Sequence, residues 1–182
     1  EETNTLPTSH PLHDLDAIRR SAEVSAREAA AGHPSWVIPE GASDALGMWG
    51  YVLALREVAE QASRISTSSP VIWHAASSGG TTAGIGWAVD RLGLDYRVVA
   101  CSIGDPAGEI REKVRNIWRE AAAATHSRVP SVEIEYIDDH VGGGYGIVTD
   151  DELAIQAEAS ALTGAIFDPT YTGKALTGLR RE

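Results

Sequence analysis

Cysteine and clustered metal ligands are scarce in this sequence of 182 residues. It holds one cysteine, Cys101, which excludes an internal disulfide and cannot by itself form a thiolate metal site. A reducing, cytoplasmic setting is therefore expected, and the β-type run Val98–Cys101 favours an inert, buried thiol. Of the histidines only His10 and His13 are close in sequence, and Pro11 between them disfavours a shared helical face. No metal site is predicted.

Long apolar runs and an excess of basic charge are missing as well. No segment approaches the roughly 20 apolar residues that a membrane-spanning helix needs, and the acidic, polar start Glu1–Asn4 does not resemble a secretory signal. The net charge of -11 argues against nucleic-acid binding, which depends on clustered Lys and Arg. These absences predict a soluble protein with a small-molecule ligand and neither a membrane nor a nucleic-acid partner.

What is present is an alternation of helical and strand patterns along a chain long enough for a single domain, 1–182. Helices are predicted over 14–31, 46–64, 82–92, 107–124 and 149–162, and strands over 35–39, 70–76, 96–101 and 132–137. Helix 46–64 is apolar enough to be mostly buried, strand 132–137 alternates as an edge strand does, and Thr149 and Glu152 have the spacing of a capping box. The alternation predicts an α/β fold, a doubly wound, mostly parallel sheet with helices on both faces.

A glycine-rich turn follows the predicted strand 70–76 and opens the next helix. In this setting backbone N–H groups and the helix dipole can hold a phosphate, glycines let the backbone approach it, and hydroxyls add donors. The residues concerned are Ser77, Ser78, Gly79, Gly80, Thr81 and Thr82. An ordinary strand-to-helix turn is equally compatible with these residues alone, since the turn has neither the lysine of a Walker loop nor a G-x-G-x-x-G pattern.

Two later segments lie where the loops at the carboxyl ends of the strands are expected to bind a ligand. Gly142–Gly146 surrounds Tyr145 with glycines, and an aromatic at this place favours a site over a flexible surface loop. A polar segment that begins at residue 168, where another strand should end, is expected to project Tyr171 and Thr172 into the cleft. Lys174 is compatible with a Schiff-base lysine, a phosphate contact or a solvated helix-start residue, and the solvated residue is favoured.

Four ordered blocks carry a resemblance to a known family. They are Pro39–Tyr51, Ser78–Gly84, Gly144–Gly146 and Asp168–Ala175. In this order and spacing they resemble the D-cysteine desulfhydrase and 1-aminocyclopropane-1-carboxylate (ACC) deaminase family, over about residues 15 to 180. The resemblance implies the tryptophan-synthase-β type of fold and pyridoxal 5'-phosphate as cofactor. The chain is similar to the central part of that family's larger, cofactor-binding domain, without the small domain.

The resemblance also implies roles for the matched residues. The cofactor-binding residues are expected to be Ser78, Gly79, Gly80, Thr81, Thr82 and Thr172. Tyr145 and Tyr171 are expected to border the substrate as the catalytic residues. Ring-opening members of the family carry Glu where this chain has Thr172, so the resemblance favours D-cysteine or a related β-substituted amino acid, converted to a keto acid and ammonia.

Parts of the family pattern are missing from the sequence. The Asn-Lys-x-Arg-Lys segment that holds the Schiff-base lysine should precede Pro39 and is absent, as are a catalytic serine after it and a glycine-rich segment after Leu179. We therefore expect an incomplete lyase or deaminase, completed in an oligomer by a partner chain or by a further segment of the same protein. ACC deaminase, a non-catalytic module that binds a phosphorylated ligand or a protein, and a fragment without an independent role remain alternatives.

Overall fold

Within residues 15–39, the first part of the chain that the structure describes, one helix is followed by a segment without regular secondary structure. The structure, a computed structural model, describes residues 15–65 and 69–182 and has two compact units, one ending at Glu40 and the other running from Gly41 to Glu182. In the first unit α1 covers Leu15–Ala30, which confirms a helix in this region. The predictions for residues 1–14, including those for His10 and His13, lie outside the described residues.

The strand predicted over 35–39 is wrong. Residues 33–39 have no regular secondary structure, and the side chains of Trp36 and Ile38 are both 74% exposed. A strand exists only where a neighbour completes its hydrogen-bond ladder. None of the described strands pairs with this segment.

The second unit alternates helices and strands as predicted. After a short 3-10 turn at Glu40–Ala42, its elements are α2 (Trp49–Ile65), β1 (Val71–Ala76), α3 (Gly80–Leu92), β2 (Arg97–Ser102), α4 (Ala107–Ala124), β3 (Glu135–Ile137), α5 (Asp150–Thr163) and α6 (Thr172–Arg181). The three strands form a parallel sheet in the order β1-β2-β3, with Val71 opposite Arg97 and Val99 opposite Glu135. This arrangement confirms the predicted α/β class and places β3 at an edge.

Helices cover both faces of the sheet. Ile72 and Val98 lie on one face, in the apolar core that α3 and α4 complete. Trp73 and Cys101 point to the other face, where α6 packs: Trp73 Nε1 donates a hydrogen bond of 2.7 Å to the carbonyl of Ala175. The doubly wound arrangement is thus confirmed, and Cys101 is fully buried, as expected of an inert thiol.

Helix α2 packs along α3 through a glycine. A Cβ at Gly84 would lie 2.3 Å from the carbonyl oxygen of Met48, so only hydrogen fits there. Trp49 and Trp87 add an edge-to-face contact, with ring centroids 5.6 Å apart. Only Leu55 of α2 is fully buried, so the expectation of a mostly buried helix is wrong. Within the described residues no helix is both long and apolar enough to cross a bilayer.

The remaining differences from prediction concern strands. β3 begins at Glu135 rather than at residue 132, because only Glu135–Ile137 lies opposite β2. Residues 165–168 form no strand before the polar segment, which instead turns directly into α6. The capping box is confirmed: Thr149 Oγ1 accepts the Glu152 N–H, and the Glu152 carboxylate accepts the Thr149 N–H at 2.7 Å.

Candidate functional site

The loop between β1 and α3 has the geometry of an anion cradle. Gly79 precedes α3 in a left-handed conformation, with φ of 91°, and as a glycine it has no side chain with which to cap the helix. The first N–H groups of a helix have no acceptor within it and carry the positive end of the helix dipole. A phosphate at this helix start would therefore meet backbone donors of the right charge.

Ser43 holds this loop from outside. Its Oγ accepts the Gly80 N–H at 3.1 Å and lies 2.7 Å from Ser78 Oγ. A Cβ at Gly80 would lie 2.5 Å from Ser43 Oγ and 3.0 Å from Ser43 Cα, and a Cβ at Gly41 would lie 2.7 Å from Ser78 Oγ. Glycine is required at Gly80 so that the two loops can approach each other.

Thr82 supplies an independent indication that the cradle takes a polar ligand. Its side chain is fully buried, and its Oγ1 has no hydrogen-bond partner. A buried, unpaired hydroxyl costs about 1–3 kcal/mol and is rare in folded proteins. The residues of this loop therefore fit a phosphate, which would offer acceptor oxygens beside the first turn of α3.

The loop after β2 joins the cradle through Asp105. The Asp105 carboxylate accepts a hydrogen bond from Ser77 Oγ at 2.8 Å and one from Lys113 Nζ at 3.0 Å. Lys113 also faces Glu109 at 3.6 Å. The ammonium group offsets the charge that Asp105 would otherwise present to an anion in the cradle.

Tyr145 and Tyr171 meet at the next two loops. A Cβ at Gly104, in the loop after β2, would lie 3.1 Å from the Tyr145 Cβ, so this glycine lets the third loop come close. The two phenol oxygens are 2.5 Å apart and the rings lie edge to face, with centroids 5.9 Å apart. The structure thus brings together two side chains that are 26 positions apart in sequence.

Thr172 begins α6 and is tied to Asp168. Its hydroxyl donates to the Asp168 carboxylate at 2.5 Å, and the same carboxylate accepts the N–H groups of Tyr171 at 2.6 Å and Thr172 at 3.0 Å. Burial alone would raise the pKa of the Asp168 carboxyl, but these hydrogen bonds outweigh it and hold that pKa below its usual range. The ionised carboxylate fixes the start of α6 and with it Tyr171.

The expectation that Lys174 is solvated is wrong. Its side chain is 0% exposed, and Nζ donates to the carbonyls of Val141 at 2.7 Å and Ile147 at 2.9 Å and to Glu152 Oε1 at 3.2 Å. Burial would raise the pKa of the Glu152 carboxyl, but hydrogen bonds from Thr149 and Lys174 and the charge of Lys174 hold it below its usual range. Helix packing, which spacing in the sequence does not reveal, buries this residue.

A cleft of about 490 Å³ lies between β1, α3 and α6. Thr81 from the cradle and Tyr171 and Thr172 from the start of α6 all line it, together with His74 of β1. His74 Nε2 is buried without a partner; burial lowers the pKa of the imidazole, although a hydrogen bond with the carbonyl of Ala75 partly offsets this. Gly80 and Thr81 also line a neighbouring cleft of about 390 Å³.

No lysine of this chain is available in the structure for a Schiff base. The sequence contains two, Lys113 and Lys174. The first is paired with Asp105 and the second is buried against Glu152. Both ammonium groups would have to leave a carboxylate before they could react.

Sequence reasoning missed four residues of the site: Ser43, Asp105, Lys113 and His74. Ser43 belongs to the matched block Pro39–Tyr51, so the resemblance contained a signal for it without indicating a contact. Asp105 follows the predicted strand 96–101 in a position where polar residues of such sheets meet ligands, and that position could have revealed it. His74 looked like an ordinary strand residue, and nothing in the sequence pattern distinguishes it.

These features define an α/β protein with a phosphate-type cradle and a tyrosine pair at the carboxyl ends of its parallel strands. The chain belongs to the family of pyridoxal-phosphate dependent enzymes, whose model matches residues 12–182. Membership confirms the class of enzyme that the four sequence blocks indicated, and pyridoxal phosphate as the cofactor of that class.

Curated proteins similar to this chain include D-cysteine desulfhydrases. The protein from Yersinia pestis (strain Pestoides F) is 33% identical over 165 residues, covering 90% of this chain and 49% of the relative. The protein from Yersinia enterocolitica is 34% identical over 169 residues, covering 92% of this chain and 50% of the relative. A crystal structure of an ACC deaminase homologue superposes with a TM-score of 0.76 and 31% identity, over 90% of this chain and 49% of that one. The chain spans about half the length of the relatives that it matches.

The residues present fit one part of the cofactor and not another. The glycine before α3, the close approach at Gly80 and the unpaired Thr82 hydroxyl suit the phosphate group. Neither Lys113 nor Lys174 suits the aldehyde, since each is held by a carboxylate. Gly80, Thr81 and Thr82 are thus the residues that would hold the phosphate, and neither lysine is placed to hold the cofactor covalently.

Proposed function

We propose that this chain is the phosphate-anchoring part of a pyridoxal-phosphate-dependent lyase or deaminase that acts on D-cysteine or a related β-substituted amino acid, with a keto acid and ammonia as products. One observation carries the proposal: a continuous series of contacts joins the three loops that follow the strands and the start of α6, from Ser77 to Asp105, from Gly104 to Tyr145, and from Tyr145 to Tyr171. The names of the relatives support the reaction class.

In this proposal the chain's own residues bind the cofactor's phosphate and orient a proton donor toward the substrate. Gly80, Thr81 and Thr82 hold the phosphate, while the cofactor, when bound, supplies an electron sink for the bonds broken at the substrate's Cα. Tyr171 lines the cleft, and its phenol oxygen lies 2.5 Å from that of Tyr145. Donation of a phenol proton from this pair to a leaving group at the β-carbon is the role that we assign to the two tyrosines.

Thr172 supports a β-substituted amino acid over ACC. Threonine has no ionisable group to offer the substrate, and its hydroxyl is already hydrogen-bonded to the Asp168 carboxylate. ACC deaminase is the alternative reaction, which the structural relative named as an ACC deaminase homologue supports. Parallel assays with D-cysteine and ACC, each measured as keto acid released by the completed enzyme, separate the two.

The Schiff-base lysine comes from outside this chain in our proposal. Among the described strands only β2 pairs with β1, and the other edge of β1 and the cleft beside it offer a place where a further strand of the family fold can pair. A partner chain or another segment of the same protein would bring the lysine there and complete an oligomeric or continuous active site.

The phosphate cradle is tested on the chain alone. Inorganic phosphate and pyridoxal phosphate should each raise the melting temperature. The added free energy of unfolding should grow with ligand concentration and reach about 2.7 kcal/mol at one hundred times Kd. Gly80→Ala should abolish this protection because its Cβ would collide with Ser43, whereas Gly108→Ala, in open space, should not. The cradle is refuted if phosphate raises the melting temperature of the Gly80 variant as much as that of the native chain, or if phosphate does not raise the melting temperature of the native chain.

The lysine is tested by borohydride reduction with pyridoxal phosphate, followed by peptide mass spectrometry. The chain alone should bind cofactor without a reduced adduct on Lys113 or Lys174. Addition of the missing half of the family fold should give an adduct on that half together with keto acid release from D-cysteine. An adduct on Lys174 in the isolated chain contradicts the proposal that the Schiff-base lysine comes from outside this chain.

A second candidate is a non-catalytic module that binds a phosphorylated ligand. The engagement of both lysines by carboxylates favours it, because such a module needs the cradle but no Schiff base. It predicts phosphate protection of the chain together with no keto acid release in any mixture with the other half.

A further inference from the structure

Lys174 connects the elements that carry the two tyrosines. It lies three residues after Tyr171, in the first turn of α6. Its three hydrogen bonds reach the backbone on either side of Tyr145, at Val141 and Ile147, and the carboxylate of Glu152 in the first turn of α5. Lys174 therefore joins the loop that carries Tyr145 to the helix that follows Tyr171.

Every N–H of the Lys174 ammonium group has a hydrogen-bond acceptor. A lysine has three N–H donors, and each finds one acceptor here. Glu152 gives one oxygen to Lys174 and the other to the N–H and Oγ1 of Thr149. A buried charge pair with every donor and acceptor used specifies one geometry, because any displacement leaves a buried charge without its partner.

The loop that Lys174 holds is rich in glycine. It contains the left-handed residues Gly142, Gly144 and Gly146, with φ of 65°, 116° and 72°. Glycines lose the most conformational freedom on ordering, so such a loop needs an external restraint. A Cβ at Gly142 would lie 3.1 Å from Glu152 Oε1 and 3.5 Å from Lys174 Nζ, so the loop passes directly over the ion pair.

We propose that Lys174, with Glu152, is a positioning residue that orders the 141–147 loop so that Tyr145 meets Tyr171. The inference deepens the proposed function, because it says what places the tyrosine pair of the same site. It assigns to Lys174 no contact with cofactor or substrate. The pair acts through backbone carbonyls, and the phosphate cradle on α3 does not depend on it.

The test uses Lys174→Met in the full chain, without cofactor or substrate. Hydrogen exchange of the 141–147 amides should speed up about ten- to hundredfold, since two hydrogen bonds to a charged donor are lost, while the amides of α3 keep their protection. Photo-oxidative coupling of Tyr145 to Tyr171, read as joined peptides by mass spectrometry, should fall at least severalfold. Arg180→Met, which removes an exposed ion pair with Glu158 between the same two helices, should leave both readouts at the native value.

Two further variants keep the outcome decisive. Lys174→Met leaves Glu152 charged and buried, and this single variant could therefore fail to fold. The double variant Lys174→Met/Glu152→Gln covers that case, because it removes both charges and keeps the side-chain cap on α5. Tyr171→Phe removes the phenol contact but not the ion pair, and its loop should keep native exchange. Retained coupling and loop protection in a folded Lys174 variant, or uniform loss of protection across α3 as well, would falsify the proposal.

Failure of this inference and failure of the proposed function are separate results. Phosphate protection against heat is measured on the same samples and reports on the cradle alone. A Lys174 variant with a disordered loop and normal phosphate protection supports the inference. Native loop exchange with normal phosphate protection overturns the positioning role and leaves the proposed function in place.

Discussion

Thr82→Val separates the cost of an unpaired hydroxyl from its use in binding. Thr82 Oγ1 is buried in α3 without a hydrogen-bond partner, and valine has nearly the same shape and helix propensity. Removing an unsatisfied buried group should raise the free energy of unfolding by about 1–3 kcal/mol in the absence of ligand. For a chain of this size each kcal/mol raises the melting temperature by about 2–4 °C.

The same change should weaken the binding of phosphate to the chain. A hydrogen bond from Thr82 to a charged oxygen is worth about 1.5–3 kcal/mol, so phosphate affinity should fall about ten- to hundredfold. Urea unfolding gives the first quantity and calorimetric titration with inorganic phosphate gives the second. A more stable chain that binds less phosphate is the expected combination.

Thr177→Val is the matched control. Thr177 is also buried in a helix, at 1% exposure, but its Oγ1 donates to the carbonyl of Gly173 at 3.0 Å. Its replacement should therefore cost about 0.5–1.5 kcal/mol and leave phosphate affinity unchanged. The reasoning fails if Thr82→Val destabilises the chain as Thr177→Val does, or if phosphate affinity in the Thr82 variant equals that of the native chain.

Three further predictions concern the fold around the site. Gly84→Ala should lower the free energy of unfolding by about 1–3 kcal/mol in urea, because its Cβ would meet the backbone of Met48, while Gly108→Ala, in open space, should raise it by up to about 1 kcal/mol; equal effects would contradict the packing of α2 on α3. Burial, with a smaller contribution from a nearby carboxylate, raises the pKa of the Cys101 thiol to about 11, so thiol reagents at pH 8 should react only at the rate of unfolding, and fast labelling would refute its burial. Burial lowers the pKa of His74, so its contribution to stability is complete above about pH 6.5 and is lost as pH falls toward the lowered value; His74→Leu should flatten this slope between pH 8 and 5, and an unchanged slope would show that another group titrates.

The helices were predictable because their signals are local. α4 has the predicted bounds, Ala107–Ala124, since Ile110, Val114 and Ile117 fall on one face at helical spacing and are all buried. The cap of α5 was visible as Thr149 and Glu152 three residues apart. Such interactions join residues within one or two turns, so the sequence contains both partners.

The strands were predicted less well because their partners are distant. The run 35–39 has strand composition but no described neighbour, and residues 132–134 extend beyond the part of β3 that lies opposite β2. Strand assignment depends on pairing across the sheet, which local pattern does not contain. The same limit explains the wrong expectation of a strand before Asp168.

The candidate phosphate cradle could be predicted from the sequence because its donors are consecutive: a strand, a glycine-rich turn and a helix start are local features from Val71 to Leu92. The family blocks likewise named Tyr145 and Tyr171 without relating one to the other. Only the tertiary structure set Ser43 against Gly80, joined the two phenols and buried Lys174 under the loop that carries Tyr145. These contacts join residues 26 to 37 positions apart, and the burial of a charge depends on which elements pack around it, which is a property of the folded chain.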